Sequence, residues 1–195
     1  GMTNDAGVYQ GTIPAAPVGT KVVYHIEAST DGNTECSPEV PYTVGEDPID
    51  YTGLALNELN GNDKIIEIYN KGKEDIHIKA ISIQKDGKDV WTAPSAILKS
   101  GEFVLLYSTD VQADHAEHPE GYFFGSGLSA KKAVKVELFD PKGGSLDCFN
   151  LVNFVKKASA SYSRVPDGTG AWYFTSATPA AKNANETADK VEGLE

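Results

Sequence analysis

Two histidines three positions apart sit among carboxylates in Asp114-His115-Ala116-Glu117-His118-Pro119-Glu120. Imidazole and carboxylate ligands suit zinc and related divalent ions, and His115 and His118 would share one face of a helix. The segment is short and polar and stops at Pro119, which favours a solvated loop. Glu58, Glu67, Asp147 and Arg164 are charged residues inside strongly apolar runs. Paired carboxylates can move protons to and from a substrate, provided a cleft tunes them. A lone buried charge is very costly, so the favoured reading is a guanidinium held by one or more of these carboxylates as a structural tie. Trp91, Trp172, Tyr173 and Phe174 could stack on a sugar ring. Because Trp172-Tyr173-Phe174 would alternate faces along a strand, core packing is the better reading. The acidic turns Asp31–Glu35 and Asn60–Asp63 hold oxygen ligands for calcium but lack the spacing of a regular calcium loop.

Motifs that would mark an enzyme are missing. The sequence has no Gly-x-Ser-x-Gly elbow and no phosphate-cradling glycine loop ending in Lys-Ser or Lys-Thr. Gly125-Ser126-Gly127 and Asp167-Gly168 read as turns. Cys36 and Cys148 are too far apart for a zinc or redox pair, and a single long-range disulfide stays open beside two free thiols. The residues therefore assign no catalytic group, no cofactor and no metal.

These side chains need a scaffold, and its class is legible. The 195 residues include 19 glycines and 10 prolines between many short apolar runs. That punctuation favours a β architecture. Strands are expected at Val8–Ile13, Lys21–Ala28 and Val40–Val44, with a hairpin turn at Asp31-Gly32. After a linker at Gly45–Pro48, they are expected at Leu54–Leu59, Ile65–Asn70, Ile76–Gln84, Val90–Ala93, Phe103–Ser108, Val134–Asp140, Leu146–Phe154, Ser161–Val165 and Trp172–Thr175. Thr109–Ala130 reads as a long loop, and Asn183–Glu195 as a disordered tail or a short frayed helix.

With 17 basic and 28 acidic residues the net charge is −11, which repels phosphate backbones and argues against nucleic acid. Lys131, Lys132 and Lys135, and the pair Lys156 and Lys157, read as solvated faces. No run of about 18 apolar residues exists to span a membrane. Gly1 before Met2 reads as an expression scar, with a leader expected upstream.

From Leu54 onward the ordered motifs resemble the bacterial lamin tail domain. Leu56-Asn57-Glu58-Leu59 is similar to its opening strand. Ile65-Ile66-Glu67-Ile68-Tyr69-Asn70 is similar to its apolar-Glu-apolar-aromatic-Asn strand, and Asn70-Lys71-Gly72 to the turn that follows. Leu98–Val104 and Val136–Asp147 resemble its central segments. Ser163–Gly168 and Ala177–Asn183 resemble the closing Arg-x-Pro-Asp-Gly and Thr-Pro-Gly-x-x-Asn signatures. Two departures stand out: Ala80-Ile81 replaces Gly-Trp, and Thr178-Pro179-Ala180 replaces Thr-Pro-Gly. The N-terminal piece, with Val22-x-Tyr24-x-Ile26-Glu27-Ala28, resembles the later strands of a fibronectin- or immunoglobulin-like domain.

The resemblance implies an all-β fold: an immunoglobulin-like β-sandwich with a small N-terminal β-meander. The expected organisation is a partial immunoglobulin- or fibronectin-like segment at 1–47, the sandwich at 48–184 and a polar tail at 185–195. It implies no catalytic residues. The expected role is a non-catalytic interaction or scaffolding module, extracellular, periplasmic or on the cell surface, with a protein or cell-envelope component as partner. The N-terminal strands could pair two copies as a homodimer. The alternatives are an accessory domain of a secreted hydrolase or nuclease, and a carbohydrate-binding module.

Overall fold

A computed structural model describes residues 2–5, 8–30, 32–45, 49–154, 160–183 and 189–195. The chain divides into two units, Gly1–Pro48 and Ile49–Glu195.

Among the described residues, the first unit holds six short strands: β1 (Thr3–Asp5), β2 (Val8–Gln10), β3 (Lys21–Tyr24), β4 (Glu27–Thr30), β5 (Asn33–Cys36) and β6 (Val40–Thr43). They form three two-stranded antiparallel ladders, β1-β2, β3-β6 and β4-β5. The expected strand Lys21–Ala28 is in fact two, separated at His25-Ile26. The hairpin expected around Asp31-Gly32 is present as β4-β5, with Gly32 at φ 87°; Asp31 itself lies outside the described residues. Strand β5 was not expected, because Asn33-Thr34-Glu35-Cys36 has no apolar alternation to announce it.

The second unit is an all-β sandwich. Its strands are β7 (Leu54–Asn60), β8 (Ile65–Asn70), β9 (Ile76–His77), β10 (Ser82–Lys85), β11 (Lys88–Thr92), β12 (Ile97–Leu98), β13 (Phe103–Ser108), β14 (Phe123–Phe124), β15 (Val134–Phe139), β16 (Ser145–Leu151), β17 (Ser161–Val165) and β18 (Ala171–Thr175). One sheet runs β11-β10-β15-β16 and the other β14-β13-β8-β7-β17-β18, beside a small β9-β12 pair. Val134, Val136 and Leu138 alternate inward from the first sheet, and Val104 and Leu106 from the second, as a two-residue period dictates. Ile83, Trp91 and Phe149 of the first sheet join Leu54, Leu56, Ile66, Ile68 and Leu106 of the second in one core.

The expected strand Ile76–Gln84 is broken because Ala80 takes φ 65°, a left-handed conformation no strand accommodates. Ala180 sits at φ 56°. Both departures from the family pattern therefore fall where a glycine would relieve the backbone. A Cβ in the left-handed region costs about 1–2 kcal/mol, while glycine's greater unfolded-state freedom returns about 0.5–1 kcal/mol. Ala80→Gly and Ala180→Gly should each stabilise the fold by about 0.5–1 kcal/mol in urea unfolding.

The loop expected over Thr109–Ala130 contains two 3-10 turns, Thr109–His115 and Glu120–Tyr122, before β14. The tail differs from expectation. Residues 184–188 lie outside the described residues, but 189–195 are packed against the sandwich. Val191 is buried and its N–H donates to the Trp172 carbonyl, while Val152 and Asn153 donate to the Gly193 carbonyl. The apolar alternation Val191-x-x-Leu194 is too sparse to outweigh the polar composition around it when read alone.

Candidate functional site

Strands β7 and β8 are buried on both faces. One face supplies the core. On the other, Glu58 and Glu67 stand directly opposite each other in the ladder and are fully buried. A bulge between Leu56 and Glu58 inserts Asn57 and turns its amide into the same region. The segment from Pro166 to Asn183 closes over these groups.

Each carboxylate is held by donors. Glu58 accepts from the Ser161 hydroxyl at 2.5 Å, and from the Thr178 hydroxyl at 2.8 Å and backbone N–H at 3.1 Å. Glu67 accepts from the Asn57 amide at 3.0 Å and from the Ala180 N–H at 2.6 Å. Asn57 also donates to Asp167 at 3.0 Å and accepts from the Gly168 N–H at 2.8 Å. Asn183 finishes the closure, donating its amide to the Arg164 and Asn57 carbonyls and its N–H to Asp167. Gly168 sits at φ 64°, and a Cβ there would lie 2.8 Å from the Tyr69 ring, so Asp167-Gly168 is the turn the sequence indicated.

Burial is the main cause that pushes the Glu67 carboxyl up to about 8, with Glu58 and Asp167 adding to it against the Asn57 and Ala180 hydrogen bonds. A proton held at that pH would suit a general acid. Glu67 is 0 % exposed, and its carboxyl meets only groups of the fold itself.

Arg164 lies on the opposite, core-facing side of β17, at the end of the ladder. β17 pairs with β7 only through Tyr162–Leu59 and Ser163–Glu58, and the bulge ends the match. Side chains take over there. Arg164 Nε donates to the Leu56 carbonyl at 2.9 Å, and the Leu56 N–H donates to Asp147 Oδ2 at 2.9 Å. Arg164 Nη2 reaches Asp147 Oδ1 at 2.6 Å and Nη1 donates to the Gly170 carbonyl at 3.0 Å. The guanidinium lies 4.7 Å over the Trp172 ring. Since Asp147 belongs to β16, this ion pair links the two sheets. The expected tie of Arg164 is present with Asp147; Glu58 and Glu67 are bound by amides and hydroxyls instead.

His115 and His118, weighed as metal ligands but read as part of a solvated loop, are half-buried and used in packing. His115 stacks on Tyr107 with ring centroids 3.7 Å apart. His118 Nε2 lies 3.0 Å from the Leu105 carbonyl, an acceptor, so that nitrogen must carry the proton. Both pin the loop to β13. In the Asn60–Asp63 turn, Asn60 Oδ1 accepts from the N–H groups of Asn62 and Asp63, which fixes the turn and leaves that oxygen engaged. Trp91 and Trp172 are buried, and Tyr173 and Phe174 half-buried, so these four form no exposed sugar platform. Both cysteines are free thiols.

Among the described residues, the ligand-type side chains that do converge are His25, Glu27 and Cys36 in the first unit. Sequence reading passed them over. The signal was available for two of them: a hairpin turning at 31–32 sets Glu27 opposite Cys36.

Comparison with curated proteins returns no match. The model of the lamin tail domain family matches residues 49–152, which run from the start of the second unit through β16. Arg164 and the closing segment lie beyond that stretch but complete the same sandwich. The chain belongs to the lamin tail domain family.

Proposed function

We propose that this chain is a non-catalytic interaction or scaffolding module of a secreted or surface-attached bacterial protein. The observation that carries this reading is the fate of the charged groups in the strands. Glu58, Glu67, Asp147 and Arg164 all bind backbone or neighbouring side chains of the fold itself, and the two glutamates have no exposed surface. Lamin tail domains are generally non-catalytic, which agrees. Large exposed apolar side chains concentrate in the first unit, at Tyr9, Val18, Val23, Tyr24, Ile26, Val40 and Tyr42, where a protein or cell-envelope component would dock.

The test is a paired measurement on the whole chain. Defined arrays of proteins, cell-envelope polymers and glycans are probed for saturable binding, and nucleic acids, phosphoesters, peptides and glycosides are assayed for turnover. Saturable binding to a protein or envelope component with no turnover is expected. Turnover that disappears in Glu58→Gln or Glu67→Gln would overturn the reading.

A further inference from the structure

We propose that His25, Glu27 and Cys36 form a binding site for a zinc-class divalent metal on the β4-β5 hairpin. The backbone sets the arrangement. Glu27 and Cys36 are directly opposed in the ladder, so their side chains leave the same face. The pairing continues one step further, with the Ser37 N–H donating to the Ile26 carbonyl at 2.8 Å and the Ile26 N–H to the Ser37 hydroxyl at 2.9 Å. That extension reaches Ile26, and His25, at the break between β3 and β4, turns its imidazole to within 3.0 Å of Glu27 Oε1.

One imidazole nitrogen, a carboxylate oxygen and the thiol Sγ all lie within 4.8 Å of one another, and His25 Nε2 is 3.0 Å from Glu27 Oε1. Tetrahedral zinc with nitrogen and sulfur at their usual bond lengths separates ligand atoms by about 3.3–3.7 Å. All three residues are exposed, so their side chains can change rotamer to close the remaining distance. One nitrogen, one oxygen and one sulfur ligand form a set suited to zinc or cobalt, whereas calcium and magnesium prefer oxygen alone. Binding exchanges the Cys36 thiol proton for the metal and releases it to solvent.

Three protein ligands leave one tetrahedral position for water or another small ligand. A groove of about 450 Å³, with Tyr9, Ile13, Tyr24 and Ile26 among its walls, runs past His25 and Glu27.

Cobalt(II) is the probe, because a cobalt–thiolate bond gives a charge-transfer band in the near ultraviolet. The full chain should bind one cobalt per chain with such a band, and zinc should displace it. Cys36→Ser should abolish the band, His25→Ala should weaken binding at least about tenfold, and Cys148→Ser should leave it unchanged. Far-ultraviolet circular dichroism on the same samples confirms that each variant keeps its strands. Absence of the band in the unaltered chain, a band that survives Cys36→Ser or is lost with Cys148→Ser, or one metal shared by two chains would overturn the site.

Discussion

Replacing Arg164 with alanine should lower the unfolding free energy by about 3–5 kcal/mol, because it leaves the Asp147 carboxylate with its partner gone. The side chains of both residues are only 15 % exposed, so solvent screens the pair little. The change also strips the Leu56 and Gly170 carbonyls of their donor and the Trp172 ring of its cation. Arg164→Lys should recover only part of the loss, since an ammonium cannot span the Leu56 carbonyl, Gly170 carbonyl and Asp147 together. The double variant Arg164→Leu/Asp147→Leu should lose less than the two single changes summed, as no uncompensated charge remains. Urea denaturation of the wild type and these variants, with Arg164→Leu and Asp147→Leu made singly for the cycle, measures this. A loss under about 1 kcal/mol in Arg164→Ala would show that the ion pair does not tie the sheets.

Stability should fall as pH rises from about 5 to 8, and Glu67 should be the cause. In the unfolded chain its carboxyl titrates near 4.5, whereas burial holds it at about 8 in the fold. Below the lower value both states carry the proton and this group contributes no slope. Between the two the unfolded state has released it and the folded state has not, so each added pH unit costs about 1.4 kcal/mol. Above the upper value both are ionised and the loss is complete, at several kcal/mol in total. Glu67→Gln removes the titration. It also sets an amide donor against either Asn57 or the Ala180 N–H, for a pH-independent loss of about 1–3 kcal/mol. Urea midpoints at steps across this window should show a falling line for the wild type and a flatter one for Glu67→Gln. Equal slopes would exclude Glu67 as the origin.

The sandwich strands were legible where apolar residues alternate or run together. Ile65–Asn70, Phe103–Ser108 and Ser161–Val165 lie where the pattern puts them. The two-residue strands Ile97–Leu98 and Phe123–Phe124 carry too little pattern to be read, and exist because neighbours pair with them. The tie between Arg164 and a carboxylate followed from the cost of a buried charge. Its choice of Asp147 over Glu58 and Glu67 depended on the β7-β17 register, which sets Ser163 opposite Glu58 and so turns Arg164 to the other face of the sheet; composition does not encode that register. The convergence of Glu27 and Cys36 follows from the two-residue turn at 31–32, which fixes the hairpin register; it is hard to see because β5 has no apolar alternation to announce a strand.

The closure over Glu58 and Glu67 also orders events in time. The donors that satisfy these carboxylates come from Ser161, Thr178 and Ala180, 103 to 120 positions later in the chain. A ribosome delivers β7 and β8 long before those donors exist, so the strand pair first forms with two facing acids and an open polar surface. Contacts of such long sequence separation slow folding, since a large loop must close before they form. The sheet can assemble early only with its outer face wet, and it dries when the segment from Pro166 to Asn183 arrives. A chain cut short before Thr178 would keep a complete β7-β8 ladder and lack the means to seal it.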